Sequence, residues 1–109
     1  MSYYRVVAKR SELIEGDARI VTVEGRQIAL FQIDGEVHAL ENVCPHRGGP
    51  IGEGLVKDGH VTCPWHEWTF EIRTGTCTLN EAAFVERFPV KLDGDDVLVL
   101  PEPIPRDDV

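Results

Sequence analysis

Cys44-Pro45-His46-Arg47-Gly48-Gly49-Pro50 is followed, after sixteen residues beyond His46, by Cys63-Pro64-Trp65-His66. What lies between these stretches brings them together. Leu55 to Thr62 reads as a small hairpin turning at Asp58-Gly59. A CxH pair therefore sits in one Gly/Pro-rich loop, about residues 44–54, and a CxxH pair opens a second, about 63–70. The hairpin places both pairs at the ends of paired strands and brings them together. The first loop holds four glycines and two prolines. Pro45 and Pro64 stiffen the segments between the Cys and His positions, and Gly48 and Gly49 let backbone amides approach closely. Two thiols and two imidazoles gathered this way are a metal-ligand set, with Cys44, His46, Cys63 and His66 as candidate ligands.

Working outward, helical periodicity is nearly absent and short strands alternate with turn residues, which predicts an all-β sandwich or barrel. Strands are expected at Tyr4 to Ala8, Arg19 to Val23, Gln27 to Ile33, Glu36 to Glu41, Thr69 to Ile72, Thr76 to Leu79, Phe88 to Leu92 and Val97 to Leu100. Ser11 is expected to cap one helical turn running to Ile14 and ended by Glu15-Gly16-Asp17. Hairpin turns are expected at Glu24-Gly25-Arg26, Asp34-Gly35, Arg73-Thr74-Gly75 and Asp93-Gly94-Asp95-Asp96. The tail 101–109 is proline-rich and expected to be extended, with Arg106 to Val109 frayed. No internal repeat or second domain is evident, so 1–109 reads as one domain.

The two loops closely resemble the cluster loops of the Rieske ferredoxin family. The similarity continues through Ile28-Ala29-Leu30-Phe31, Gly35-Glu36-Val37-His38-Ala39-Leu40, Thr74-Gly75 and Val97-Leu98-Val99. The four-ligand pattern is specific, whereas the strand matches are weak individually. The resemblance implies an antiparallel β-sandwich or barrel with a small cluster-binding subdomain of two loops. It implies one [2Fe–2S] cluster, with the cysteines on one iron and the histidines on the other. Two ferric ions, two sulfides and two thiolates sum to zero charge. Reducing a neutral centre is easier than reducing the anionic all-cysteine kind, and the potential rises accordingly. The alternative on donor chemistry alone is a structural zinc site. Neither pair is CxxC, however, and a CxH step is unusual for a zinc finger.

High-potential members of the family carry two further cysteines that bridge the loops. The matching positions here are Gly49 and Trp65, so that bridge cannot form. Their serine and tyrosine hydroxyls near the cluster correspond to Trp68 and Phe70. Both differences resemble the low-potential soluble type. Glu67 departs from the pattern, since the family usually has glycine after the second histidine.

Composition bounds the function. Eleven basic and nineteen acidic residues give a net charge of −8. This disfavours nucleic acid and anionic membranes as partners and suits a partner with a basic face. Hydrophobic content of 42% is that of a soluble globular chain. No apolar run approaches the ~20 residues of a membrane span. Met1 to Arg10 shows neither a secretion signal nor a twin-arginine pattern. Three cysteines do not make a disulfide framework. The expected location is the reducing cytoplasm.

The resemblance thus implies a soluble electron carrier passing single electrons from a flavin-dependent reductase to a terminal oxygenase. The alternative is a small Rieske subunit of an NAD(P)H-dependent nitrite reductase, bound to its large subunit. No GxGxxG fingerprint is present and the chain is too short for an added mononuclear iron domain, so no catalysis alone is expected. His38 and His60 read as ordinary, partly exposed histidines, and Cys77 as a small semi-buried hydrophobe. Trp65 and Trp68 flank His66, either to shield the cluster or to form a docking surface. Asp93 to Asp96 reads as a hairpin turn rather than a calcium loop.

Overall fold

Ile28-Ala29-Leu30-Phe31 does not alternate between apolar and polar, and the structure shows why. In this computed structural model, which describes residues 3–45, 48–65, 67–80 and 82–105, all four side chains are buried. They belong to β3 (Arg26–Ile33), an inner strand of the sheet β2-β3-β4-β8, where β2 is Ala18–Val23, β4 is Glu36–Glu41 and β8 is Arg87–Phe88. Ile28 and Leu30 point into one core with Leu13, Val23, Ala39, Val97 and Val99. Ala29, Phe31 and Ile33 point into a second core with Leu40, Ile51, Val61 and Phe70. A strand covered on both faces reads as a continuous apolar run, because both sides of its pleat must leave water.

The first core is closed by the antiparallel sheet β1-β10-β9, made of β1 (Arg5–Lys9), β10 (Asp96–Val99) and β9 (Val90–Asp93). The second core is closed by a small sheet of β5 (Leu55–Lys57), β6 (His60–Thr62) and β7 (Thr69–Glu71). The chain is therefore all-β and antiparallel between strands, with a three-stranded subdomain laid on the central sheet. Its cysteines Cys44, Cys63 and Cys77 all lie in the second core.

Turn chemistry sets the register. Glu24-Gly25, Asp34-Gly35 and Asp58-Gly59 each carry two left-handed residues, between closing pairs Val23–Arg26, Ile33–Glu36 and Lys57–His60. These are type I′ turns, whose twist matches the strands they join. Arg26 therefore belongs to β3 rather than to the turn. At the β9–β10 hairpin the turn narrows to Gly94-Asp95, because Asp93 and Asp96 pair.

Phe88 to Leu92 is not one strand: β8 ends at Phe88 and β9 begins at Val90, in different sheets. The turn near Ser11 is a 3₁₀ turn over Arg10–Glu12 and stops before Ile14. The Ser11 backbone N–H and hydroxyl donate to the Asp95 carboxylate at 3.0 and 2.7 Å, so Ser11 ties the turn to the β9–β10 hairpin. Glu12 accepts from the Lys9 N–H at 2.9 Å. Thr76 to Leu79 is not a strand; it makes only single bridges, Phe70–Cys77 and Thr76–Phe84. The chain folds back after Arg73-Thr74-Gly75 as expected, with the Gly75 N–H donating to the Glu71 carbonyl at 2.7 Å. It then leaves the sheet to meet Phe84 and Val85. The tail is anchored, since the Ile104 N–H donates to the Arg87 carbonyl at 2.7 Å; residues 106–109 lie outside the described residues. No helix among the described residues is long and apolar enough to cross a membrane.

Candidate metal centre

Two loops emerge together from one end of the small subdomain. The first begins where β4 ends. Val43 bridges Pro50, closing the loop at its neck. Inside it, the Cys44 N–H donates to the Gly49 carbonyl at 2.9 Å and the Gly48 N–H to the Cys44 carbonyl at 2.7 Å. The second loop follows β6 and is closed by the Cys63 N–H donating to the Trp68 carbonyl at 2.7 Å. Cys44 and Cys63 thus occupy equivalent places, each the first residue of a loop sealed by its own backbone amide. His46, Arg47 and His66 lie outside the described residues.

The two thiols converge. Both cysteines are buried and free, and the Cys44 thiol is close enough to Cys63 to act on its titration. Burial pushes the Cys63 thiol up, an N–H···S bond from the Trp65 backbone works against that, and the Cys44 thiol reinforces it. In the bare protein this favours a neutral Cys63 thiol. A bound cation reverses the balance by deprotonating its thiol ligands outright. Gly49 completes the cradle. A Cβ there would lie 2.7 Å from Cys63 Sγ and 3.0 Å from the Trp65 ring. Only a residue without a side chain lets the first loop close over the sulfur of the second. Paired thiolates, a backbone amide aimed at one sulfur and a glycine-lined approach suit an iron–sulfur cluster.

The whole chain carries the same signature. Residues 3–101 match the Rieske [2Fe-2S] domain model. This chain belongs to the Rieske [2Fe-2S] domain family. Its cofactor is the [2Fe–2S] cluster that defines the family, which retires the zinc alternative. Over 89 residues it is 33% identical to the ferredoxin component of the naphthalene 1,2-dioxygenase system of Pseudomonas aeruginosa, covering 81% of this chain and 86% of that protein. Its fold matches the ferredoxin of carbazole 1,9a-dioxygenase from Nocardioides aromaticivorans with a TM-score of 0.85 at 27% identity, over 91% of this chain and 98% of the other. It matches equally a putative NADH-dependent nitrite reductase small subunit from Mycobacterium tuberculosis, with a TM-score of 0.85 at 26% identity, over 95% and 99% of the two chains.

Within the Rieske frame, the loop substitutions have a structural meaning. A Cβ on Gly49 would stand 3.1 Å from the Trp65 Cβ. Positions 49 and 65 therefore face each other across the loops, where a bridge between cysteines would sit. Here the Trp65 ring fills that place. Phe70 is fully buried, Trp68 packs against the second core, and Trp65 is half exposed at the loop tip. Glu67 holds φ +55° and is solvent-exposed. A left-handed backbone explains why glycine suits this position. The glutamate takes that conformation and turns its carboxylate to water, which screens its charge.

Other candidates settle into structural roles. Cys77 is fully buried, not semi-buried, because the Phe70–Cys77 bridge draws it under β7. His60 is partly exposed, with Nδ1 2.8 Å from the Asp58 carbonyl. Among the described residues, no group of three or more His, Cys, Asp or Glu side chains is placed to hold a metal ion, and the Asp93–Asp96 segment is a hairpin turn.

His38 is less ordinary than its sequence context indicated. Its Nε2 is buried without a hydrogen-bond partner and lies 3.4 Å from Glu36 Oε1. Glu36 pairs instead with Arg73, the residue that fastens the small subdomain to the β3–β4 hairpin. Burial, followed by the Arg73 charge, lowers the His38 pKa below 6.5, with Glu36 opposing. The folded state therefore favours neutral His38. Its contribution is present above about pH 6.5 and is lost as pH falls from there through the lower folded value. Thermal melts of wild type and His38→Gln between pH 7.5 and 5 are expected to show a steeper acid decline in the wild type. Parallel pH profiles would contradict this assignment.

Proposed function

We propose that Cys44, His46, Cys63 and His66 hold one [2Fe–2S] cluster, with the cysteines on one iron and the histidines on the other. We propose further that the chain is a single-electron carrier between a flavin-dependent reductase and a terminal oxygenase. Held by these residues, the cluster would supply one-electron chemistry without atom transfer. One observation carries the reading: two buried, converging thiols in loops sealed at Cys44 and Cys63, in a chain that aligns over 86% of the ferredoxin component of a dioxygenase system. The protein's part is to exclude water on the cysteine side and to present the other side to a partner. The buried sulfurs, Phe70 and Trp68 supply the first. Exposed Pro45, Pro64 and Trp65 at the loop tip supply the second.

The acidic chain suits a partner that is basic around its docking site, with an acidic group opposite Arg47, and electrostatic steering would raise the encounter rate. The cytoplasm is the matching compartment, since three cysteines are carried as thiols. A nitrite reductase small subunit is supported by the equally close fold match to such a protein. The two readings separate on purification: a mobile carrier elutes alone, whereas a subunit co-elutes with a large flavoprotein.

Docking at the loop tip is tested with Trp65→Ala and Arg47→Glu. Each is expected to slow reduction by the cognate reductase several-fold while leaving the visible spectrum unchanged. For Arg47→Glu the effect is expected to shrink as salt screens the charge. Wild-type rates at every ionic strength in both variants would place docking elsewhere.

A further inference from the structure

Asn42 is the one buried polar or charged side chain among the described residues, 1% exposed. It lies two residues before Cys44, and its groups run in three directions. Its side-chain Oδ1 accepts from the Gly52 N–H at 2.6 Å. Its Nδ2 donates to Gln27 Oε1 at 3.2 Å. Its backbone N–H donates to the Gln27 carbonyl, and its carbonyl accepts from the Ile51 N–H, both at 3.0 Å. One residue thus joins the start of β3, the end of β4 and the 3₁₀ turn Ile51–Glu53 that closes the first loop.

That turn in turn sets the second loop. Gly52 packs so tightly that a Cβ would lie 2.4 Å from Ile20 Cγ1 and 2.8 Å from Asn42 Oδ1. Two residues on, a Cβ on Gly54 would lie 2.0 Å from the Thr62 carbonyl oxygen. Thr62 immediately precedes Cys63. Contacts therefore run without a gap from Asn42 through Gly52 and Gly54 to Thr62, and each end is within two residues of a cysteine.

We propose that Asn42 is a positioning residue that fixes the separation and orientation of the Cys44 and Cys63 loops, and so the shape of the cluster site. This rests on the ligand assignment above. A buried amide is costly unless it is fully bonded, and a bonded one selects a single geometry. An apolar side chain would fill the space and leave the turn free to shift against β6.

The test compares Asn42→Leu with Ile51→Val. Leucine has similar volume but no acceptor for Gly52. Valine trims a fully buried side chain of the same turn and keeps every Asn42 hydrogen bond. The readouts are the g-values of the reduced cluster by EPR and the rate of iron release to a chelator. Asn42→Leu is expected to shift and broaden the g-values and to release iron about tenfold faster, as the loss of a buried hydrogen bond implies. Ile51→Val is expected to melt earlier with wild-type g-values. Asn42→Asp, which keeps the acceptor for Gly52, should restore the signal. If Asn42→Leu does not accumulate, Asn42→Ser carries the same test, because serine is too short to reach Gly52. Wild-type g-values together with a release rate matching Ile51→Val would overturn the inference and leave Asn42 a stability residue. A wild-type protein without a rhombic signal would instead overturn the cluster assignment beneath it.

Discussion

Cys63→Ser is expected to lose most of the reduced-state EPR signal and most of the bound iron, and to melt far below the wild type. The serine oxygen is harder than a thiolate and a weaker partner for iron and sulfide. Cys63 is fully buried beside Cys44, so the substituted hydroxyl would sit in a core site shaped for sulfur. With the proposed ligands the cluster also links two loops of a short chain, and binding free energy at such a centre is folding free energy. Its loss is expected to cost on the order of several kcal/mol. Cys77→Ser is the control. Cys77 is equally buried in the same core but lies outside the proposed ligand set. It should lose stability through its buried hydroxyl and keep the EPR signal. Full retention of iron and signal in Cys63→Ser would remove Cys63 from the site.

Gly54→Ala is expected to destabilise the protein by about 3 kcal/mol, at the upper end for overpacking a tight site. The reason is steric and not conformational. Gly54 has φ −82° and ψ 176°, which any residue adopts. The added methyl would meet the Thr62 carbonyl oxygen at 2.0 Å and its carbon at 2.9 Å. These are backbone atoms of β6, paired on one side with β5 and on the other with β7, so they cannot step aside singly. Urea unfolding measures the loss. Because the strain falls next to Cys63, cluster content should fall with stability. A variant within about 0.5 kcal/mol of wild type, the range of ordinary surface changes, would mean that the approach of the turn to β6 is not tight.

Much of this was legible in the sequence because the signals were local. Asp34-Gly35 and Asp58-Gly59 name their turns, and each hairpin register follows from the turn. The CxH and CxxH pairs identified the family before any fold was known. What the residues did not disclose was long-range. Thr76 to Leu79 looks like a strand by composition, yet its partners are Phe84 and the edge of β7, and single bridges do not make a strand. Asn42 looked like any polar residue at a strand end, because its importance comes from meeting Gly52 and Gln27 in space. An Asn two residues before a loop spaced with glycines at 48, 49, 52 and 54 was the available clue. Glu67 stood out as a departure, and its positive φ supplies the reason glycine fits there. His38 shows the limit most plainly, since its buried Nε2 and the nearby Arg73 charge depend on residues distant in the chain.

The function proposed for this chain depends on which residues hold the cluster. Pulsed EPR of the dithionite-reduced wild-type protein, prepared with histidine labelled at both ring nitrogens with nitrogen-15, tests this most directly. Two strongly coupled histidine nitrogens on a rhombic signal, each replaced by the nitrogen-15 pattern on labelling, are the expected result. In His46→Ala and His66→Ala, a protein that still carries a cluster should show at most one of them. A signal without histidine nitrogen coupling, or metal analysis finding zinc in place of iron and sulfide, would contradict the assignment of Cys44, His46, Cys63 and His66 as the cluster ligands.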